Sequence, residues 1–212
     1  MGSRRLHGSL LVLLAPLAGC SATLNAPPPV TDISARQCGA AFDLSKPSPM
    51  TFDGGKEWSF ATDINEAAPC IASAGGSALY ATFALPQIST PYVISVTSLV
   101  EGSTLFVPRI LLLGADGGVR REFSGQALQF RGTGLGTVLR SHPDETYLVV
   151  ESDPSMVGKT DSRIAEETQV YTVSAGYGAY QIHTGSEARP TFTYSHNGRF
   201  EITLTPLELD GK

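Results

Sequence analysis

The sequence predicts an all-β fold: a single antiparallel β-sandwich, jelly-roll-like, with one short helix. Two observations support this prediction. Short segments that alternate apolar and polar residues recur along the chain, and glycine and proline separate them at short intervals. No helical segments alternate with them, which argues against a parallel sheet with crossover helices. Seven or eight short strands within about 170 residues suit one sandwich with one core.

Six segments carry the clearest strand pattern, because they alternate and are rich in β-branched and aromatic residues. They are 79–85, 92–100, 106–113, 119–123, 146–151 and 199–205, with weaker candidates at 57–61, 126–131 and 169–173. The glycine-rich stretch 114–118 tolerates positive φ, so it predicts a hairpin between the third and fourth segments.

One segment interrupts the strand pattern. Asp153 is a good helix cap, and Pro154 suits the first helical position. The sequence therefore predicts a short helix or turn that extends to about Lys159.

The first twenty residues have the features of a bacterial lipoprotein signal. Arg4 and Arg5 precede the apolar run 9–17, which is too short to span a bilayer, and small residues then lead to Cys20. In this lipobox pattern the thiol of Cys20 receives a diacylglycerol, and two or more acyl chains hold a protein on a membrane stably. Ser21 follows instead of aspartate, so we expect a lipid-anchored protein of the outer membrane, on the periplasmic side.

The predicted mature chain is acidic. Cleavage removes two of the 15 Lys and Arg and no acids, which leaves 13 against 20 Asp and Glu, a balance near −7. Nucleic acids select basic surfaces, so this charge argues against a nucleic-acid partner. The remaining cysteines, Cys38 and Cys70, are expected to form a disulfide in an oxidising compartment, with two unpaired thiols as the alternative.

These features divide the chain into three regions. Residues 1–19 are the predicted signal peptide. Residues 20–39 contain the lipidated cysteine and an extended linker, in which 27–29 are prolines. Residues 40–209 are the predicted β-sandwich domain, with no second linker and no internal repeat.

The order and spacing of the strand motifs resemble the maltose operon periplasmic protein family over roughly residues 75 to 205. The matching stretches are 83–86, 92–99, 106–113, 147–152, 158–160 and 196–204. Members are exported and encoded beside maltose and maltodextrin uptake genes. The resemblance therefore implies a noncatalytic role in that uptake, with malto-oligosaccharides or maltodextrin transport proteins as partners. This chain departs from the family in its lipobox and cysteine pair, and in lacking the C-terminal extension of longer members.

Two motifs mimic those of enzymes. Residues 141–144 contain the serine, histidine and aspartate of a hydrolase triad, but a triad is assembled from distant segments, so a turn explains them better. Residues 132–136 contain three alternating glycines, as in part of a dinucleotide fingerprint, yet they lack the strand-to-helix unit that gives it meaning, and a flexible loop is expected. No catalytic residue is predicted, and the protein is not expected to be an enzyme.

No metal or cofactor site is predicted. His142, His183 and His196 are the histidines of the mature chain, and none has metal-ligand spacing with another. Residues 196–198 are expected to form a hairpin turn. Asp116 and Asp153 are expected at a turn and a cap.

Three aromatic residues are candidates for binding a sugar. Trp58 lies among polar residues, and Tyr177 and Tyr180 lie in a glycine-rich stretch, so their rings could pack against pyranose faces. The alternative is that Trp58 alternates with Phe60 on a strand or fills the core edge, and that the tyrosines anchor a loop.

Two functions remain open at this point. The first is an envelope lipoprotein of maltodextrin uptake that binds sugar or a transport component. The second is a structural module whose exposed strand edge or loops hold another envelope protein, with no small ligand.

Overall fold

The computed structural model describes residues 30–52, 57–73, 75–131, 134–162, 165–175, 178–188 and 191–207, with the backbone alone for 165–175 and 178–188. The predicted signal peptide 1–19, Cys20 and Tyr177 lie outside these residues. Sixteen strands and one 3-10 turn, Gly125–Ala127, are found in the described part of the chain. The strands are β1 Ser48–Pro49, β2 Trp58–Ile64, β3 Cys70–Ser73, β4 Gly76–Ala84, β5 Tyr92–Glu101, β6 Thr104–Phe106, β7 Pro108–Leu113, β8 Val119–Phe123, β9 Gln129–Arg131, β10 Gly134–Arg140, β11 Tyr147–Ser152, β12 Thr160–Ser162, β13 Ala165–Ala175, β14 Gly178–Ala188, β15 Thr191–Ser195 and β16 Gly198–Pro206.

Two mixed sheets pack as a sandwich, which confirms the predicted fold class. A six-stranded sheet has the order β1-β4-β11-β7-β8, with β3 beside β4. An eight-stranded sheet has the order β12-β15-β6-β5-β10-β9, and β16 joins β5 to β2. The core holds buried side chains from both sheets, such as Phe83 and Leu148 from the first and Ile94 and Phe200 from the second. The strands β13 and β14 form a separate two-stranded sheet.

Most strand pairs are antiparallel, as predicted, but two are parallel. β1 pairs with β4, and β6 pairs with β15, in parallel register. Each parallel pair contains at least one strand of five residues or fewer. The alternation in the sequence does not predict β1, β6 or β15 as separate strands.

The predicted hairpin at 114–118 is confirmed. β7 and β8 pair in antiparallel register on either side of it. Gly117 takes a φ of 75°, and the carboxylate of Asp116 accepts the Gly118 N–H at 3.0 Å. Asp116 is therefore a turn residue that stabilises the loop.

The segment 30–46, here called the strap, packs against the six-stranded sheet beside β3. Ile33 and Cys38 lie against the main core, whereas Phe42 and Leu44 cover the buried cluster on the outer face of the sheet. The predicted disulfide between Cys38 and Cys70 is confirmed. The side chain of Ile33 is buried in the core, and the ring of Phe42 packs edge-on against Tyr80 at 5.1 Å. Residues 30–39, which the sequence analysis places in the extended linker, are thus held against the body.

Of the short helix or turn predicted after Ser152, the turn is correct and the helix is wrong, because residues 154–158 form turns. The Asp153 carboxylate does cap the Ser155 N–H, at 3.0 Å. However, the Gly158 N–H donates to the Tyr194 carbonyl at 2.9 Å, so it cannot donate to a carbonyl four residues earlier. Gly158 also takes a φ of 82°, which ends helical geometry.

The predicted flexible loop at 132–136 is wrong for its second half. Gly134 and Gly136 begin β10 and pair with Leu99 and Thr97 of β5. A Cβ at Gly136 would lie 2.1 Å from the carbonyl oxygen of Val96, so only glycine allows the two strands to approach this closely.

The turn at 196–197 is a corner between strands that do not pair with each other. β15 pairs with β6 and β12, whereas β16 pairs with β2 and β5. The hairpin predicted at 196–198 is therefore wrong, although the chain does turn there. The tight approach of Gly198 to Phe106 and its φ of 149° both require glycine.

Candidate functional site

Two aromatic rings, those of Trp58 and Phe60, are stacked on the edge strand β2. Because alternate residues of a strand share a face, both rings point to the same side. Their centroids lie 5.7 Å apart, with 14° between the planes. Trp58 packs partly against the core, whereas Phe60 is 38% exposed and contacts Phe83 edge-on at 6.3 Å. We call these two residues the aromatic pair.

Hydroxyl and carboxylate groups lie on the opposite face of β2. Thr205 donates a hydrogen bond to the Glu57 carboxylate at 3.1 Å. The hydroxyls of Ser59 and Thr203 lie 3.3 Å apart, and Ser59 also donates to Glu201. The strand edge therefore presents aromatic rings on one side and polar groups on the other.

The structure places the predicted sugar-binding residues on different elements. Trp58 lies on the eight-stranded sheet, and Tyr180 lies on β14, paired with Val173 in the two-stranded sheet. Tyr177 lies outside the described residues. The ring that the structure brings beside Trp58 is that of Phe60, and the spacing of two residues on a strand is the sequence signal for it.

A cleft of about 250 Å³ opens at one end of the sandwich. Its walls are the β4–β5 connection at 86–91 and the β10–β11 connection at 141–145, and Tyr92 lies at its base. We call it the distal cleft. The sequence of 141–144 predicts a turn and gives no sign of the cleft, because the two walls of the cleft are distant in the chain.

A buried ion pair fixes the second wall of the cleft. The Glu145 carboxylate is 2% exposed and accepts two hydrogen bonds from Arg121, at 2.6 and 2.9 Å. It also accepts the His142 N–H at 2.9 Å. Arg121 in turn donates to the Arg140 carbonyl at 2.7 Å, so the pair ties β8 to the end of β10. A buried charge that is fully hydrogen-bonded is held in one geometry.

Ser141 lies at the base of the cleft and continues the strand pairing. Its Oγ accepts the Tyr92 N–H at 3.0 Å, and its own N–H donates to the Tyr92 carbonyl at 2.8 Å. The phenol of Tyr92 donates to the Pro86 carbonyl at 3.1 Å. Burial and the nearby Glu145 carboxylate raise the pKa of Tyr92. Ser141 thus holds the backbone of Tyr92 in place, whereas the His142 side chain is exposed.

A second serine and histidine meet inside the protein. Ser152 is fully buried, and its Oγ lies 2.8 Å from Nδ1 of His196. This Oγ also accepts the Leu79 N–H at 3.1 Å, and the imidazole tautomer sets which atom donates in the contact with His196. Burial lowers the pKa of His196, and the charge of Asp32 opposes this effect. The contact joins β11, β4 and the 196–197 corner.

Glu151 is buried on the strap side of the six-stranded sheet. Oε1 lies 3.3 Å from Arg109, which is also paired with the more exposed Glu122, at 2.9 Å. Among the described residues Oε2 has no hydrogen-bond partner. Burial raises the pKa of Glu151 to about 7, although the charge of Arg109 opposes this. The carboxyl is therefore partly protonated near neutral pH.

Within the described ranges no group of three or more His, Cys, Asp or Glu side chains is arranged to hold a metal ion. In the same part of the chain, no helix has the length and apolar content needed to cross a membrane.

Comparison with known proteins shows likeness to solved structures and no family. No family description matches the chain, and no curated protein matches it. The pre-peptidase C-terminal domain of a collagenase from Bacillus anthracis is similar over 76% of this chain and 95% of its own, with 10% identity and a TM-score of 0.33. The fold assignment rests on the strand pairings of the chain itself.

Proposed function

We propose that this protein is a noncatalytic, lipid-anchored envelope protein of maltodextrin uptake that binds malto-oligosaccharides through the aromatic pair. The observation that supports it is the stacked, partly exposed pair of rings on the edge strand β2. Aromatic faces pack against the C–H faces of sugars, and a ring at an open edge is reached without moving the fold.

The chemistry beside the pair suits a ligand with both apolar and hydroxyl faces. Glu57, Ser59 and Thr205 lie on the same strand edge or its neighbour and present oxygen atoms. These groups lie on the face of β2 opposite the rings, so a malto-oligosaccharide that packs on Phe60 reaches them only where several glucose units pass over the strand edge. The resemblance of residues 75–205 to maltose operon periplasmic proteins supports this choice of sugar.

The strap supports the proposed attachment through Cys20 to the outer membrane. The first described residues lie near the start of β16, where Thr31 donates to Asn197 at 3.1 Å. Cleft residue Tyr92 pairs with Pro206, at the other end of β16. Nine residues of strand separate these points by about 26 Å. Residue 30 thus lies toward the end of the sandwich opposite the distal cleft, which suits an anchor that attaches from that end.

The proposal is tested by isothermal titration of residues 21–212 with maltose and maltoheptaose. We expect saturable heat of binding. Trp58→Ala and Phe60→Ala should each lower the affinity for maltoheptaose by about tenfold, since losing one ring contact removes on the order of 1 kcal/mol of binding free energy. Val138→Ala is the matched control, because this side chain is 43% exposed and lies on β10, away from β2. No heat at millimolar sugar would exclude direct binding.

The exposed edge of β2 favours a second function, a structural module that holds a protein partner. In the described part of the chain, this seven-residue strand pairs with β16 on one side. An unpaired edge can accept a strand of another protein. Ala61→Lys would block such pairing and spare the rings. The alternative would be established by two results together: the protein binds purified maltodextrin transport proteins but no sugar, and Ala61→Lys abolishes the binding of those proteins.

A further inference from the structure

We infer that the distal cleft is a second binding site, which accepts one small, uncharged, polyhydroxylated ring such as a single pyranose. The cleft lies apart from the aromatic pair and is built from other segments of the chain. The inference rests on the proposed function only in taking a sugar as the natural source of this ligand.

The size of the cleft limits the ligand to one ring. Its volume of about 250 Å³ lies just below the range of about 300 to 1,000 Å³ typical of pockets for larger ligands. It corresponds to about eight water molecules at roughly 30 Å³ each. A single pyranose can enter this space, whereas a longer glycan would have to extend out of it.

Part of the cleft wall is apolar and rigid. Pro86, Pro91 and Pro143 line it, and proline fixes its own φ, so the walls are formed before a ligand arrives. Ile88 completes the apolar surface and is 47% exposed, so its side chain is open to a ligand. Such walls suit the C–H faces of a ring.

Polar atoms in the cleft retain hydrogen-bonding capacity. The Gln87 amide donates to the carbonyls of Leu85 and Glu145, at 3.2 and 3.1 Å, so its oxygen is left to accept. Ser141 accepts from a backbone N–H, and within the described residues its own hydroxyl hydrogen has no recorded acceptor. With the exposed imidazole of His142, the cleft offers both donors and acceptors, as hydroxyl groups require.

The charge in the cleft is already neutralised. Both oxygens of the Glu145 carboxylate are hydrogen-bonded by Arg121, and one also accepts the His142 N–H. A cation would have to displace Arg121, and an anion would meet a buried carboxylate. The site therefore favours a neutral ligand.

The experiment is titration of the purified protein with D-glucose, myo-inositol and sodium gluconate, with binding measured from NMR chemical-shift changes or by isothermal calorimetry. We expect glucose and inositol to bind and gluconate to bind at least about tenfold more weakly, because gluconate is an open chain and its carboxylate would be unpaired. Ser141→Ala and the double variant Ile88→Ala/His142→Ala should each weaken glucose binding by about tenfold. The double variant changes exposed side chains, so it tests the cleft even if Ser141→Ala fails to fold.

Trp58→Ala separates this inference from the proposed function. Glucose binding that survives Trp58→Ala and is lost in the cleft variants supports the cleft, even if maltoheptaose fails to bind the aromatic pair. If Trp58→Ala abolishes sugar binding and the cleft variants leave it intact, the inference of a binding site in the cleft is overturned and the proposed function stands. Gluconate binding equal to that of glucose, or no binding of any probe, also overturns the cleft.

Discussion

At the scale of single residues, Glu151 couples stability to pH. Burial raises its pKa from an ordinary 4.5 to about 7. The folded protein thus holds this proton more tightly than the unfolded chain does. The contribution of Glu151 to stability is therefore complete below about pH 4.5 and is lost as the pH rises through 7.

The test is urea unfolding between pH 5 and pH 8.5, in wild type and in Glu151→Gln. We expect the unfolding free energy of the wild type to fall across this range relative to that of the variant, because glutamine cannot lose a proton. Glu101→Gln is the matched control, since Glu101 is exposed and lies on the eight-stranded sheet, and it should keep the wild-type slope. Parallel curves for wild type and Glu151→Gln would contradict this assignment.

Gly136 is a residue whose identity the fold requires. Alanine there would place a Cβ 2.1 Å from the Val96 carbonyl oxygen, and β5 and β10 would have to separate. We expect Gly136→Ala to lower the free energy of unfolding by about 2 kcal/mol or more. Gly75→Ala, whose Cβ would lie 3.6 Å from Pro154, should change it far less. Equal denaturation midpoints for the two variants would show that the strands adapt freely.

At the scale of elements, the disulfide holds the strap against strand β3 of the six-stranded sheet. Cys38 and Cys70 are 32 residues apart, so in the chain-entropy model the bond contributes about 3 to 4 kcal/mol. Replacing both cysteines by alanine should lower the unfolding free energy by that order. Dithiothreitol should lower the stability of the wild type to the level of the variant and leave the variant unchanged. Wild-type stability that does not respond to the reductant would contradict this role.

Strands with strong alternation could be predicted from the sequence, and those stabilised by distant partners could not. β5 and β16 alternate buried and more exposed residues over most of their length, so their sequence periodicity predicts them. β10 has glycine at its first and third positions, and the sequence predicts a loop there, because the conformation of this segment depends on close contact with β5. Similarly, the predicted helix at 153–159 failed because pairing with β15 uses the N–H of Gly158.

Of the two candidate sites, one could be predicted from local spacing and the other depends on contacts between distant segments. The pairing of Trp58 with Phe60 follows from their spacing along one strand. The distal cleft joins two connections that are more than fifty residues apart in the sequence, at 86–91 and 141–145. Its ion pair between Arg121 and Glu145 is formed only once the hairpin β7–β8 is folded onto the sheet. No local pattern in the chain carries that information.

At the scale of the whole molecule, the two ends of the sandwich have different roles in this account. The strap enters near Asn197, and the distal cleft opens beside Tyr92, at the other end of β16. A lipid anchor at Cys20 would hold the first end to the membrane and leave the second end accessible from the periplasm. The aromatic pair begins at Trp58, which pairs with Leu204 near the same accessible end.

The central claim, sugar binding at the aromatic pair, is tested most directly by tryptophan fluorescence, because Trp58 is the single tryptophan of the chain. A malto-oligosaccharide that packs on the pair removes water from a half-exposed indole. We therefore predict a saturable blue shift of the emission on titration with maltoheptaose, which Phe60→Ala weakens and Val138→Ala leaves unchanged. An emission spectrum that stays constant up to millimolar maltoheptaose would contradict the claim.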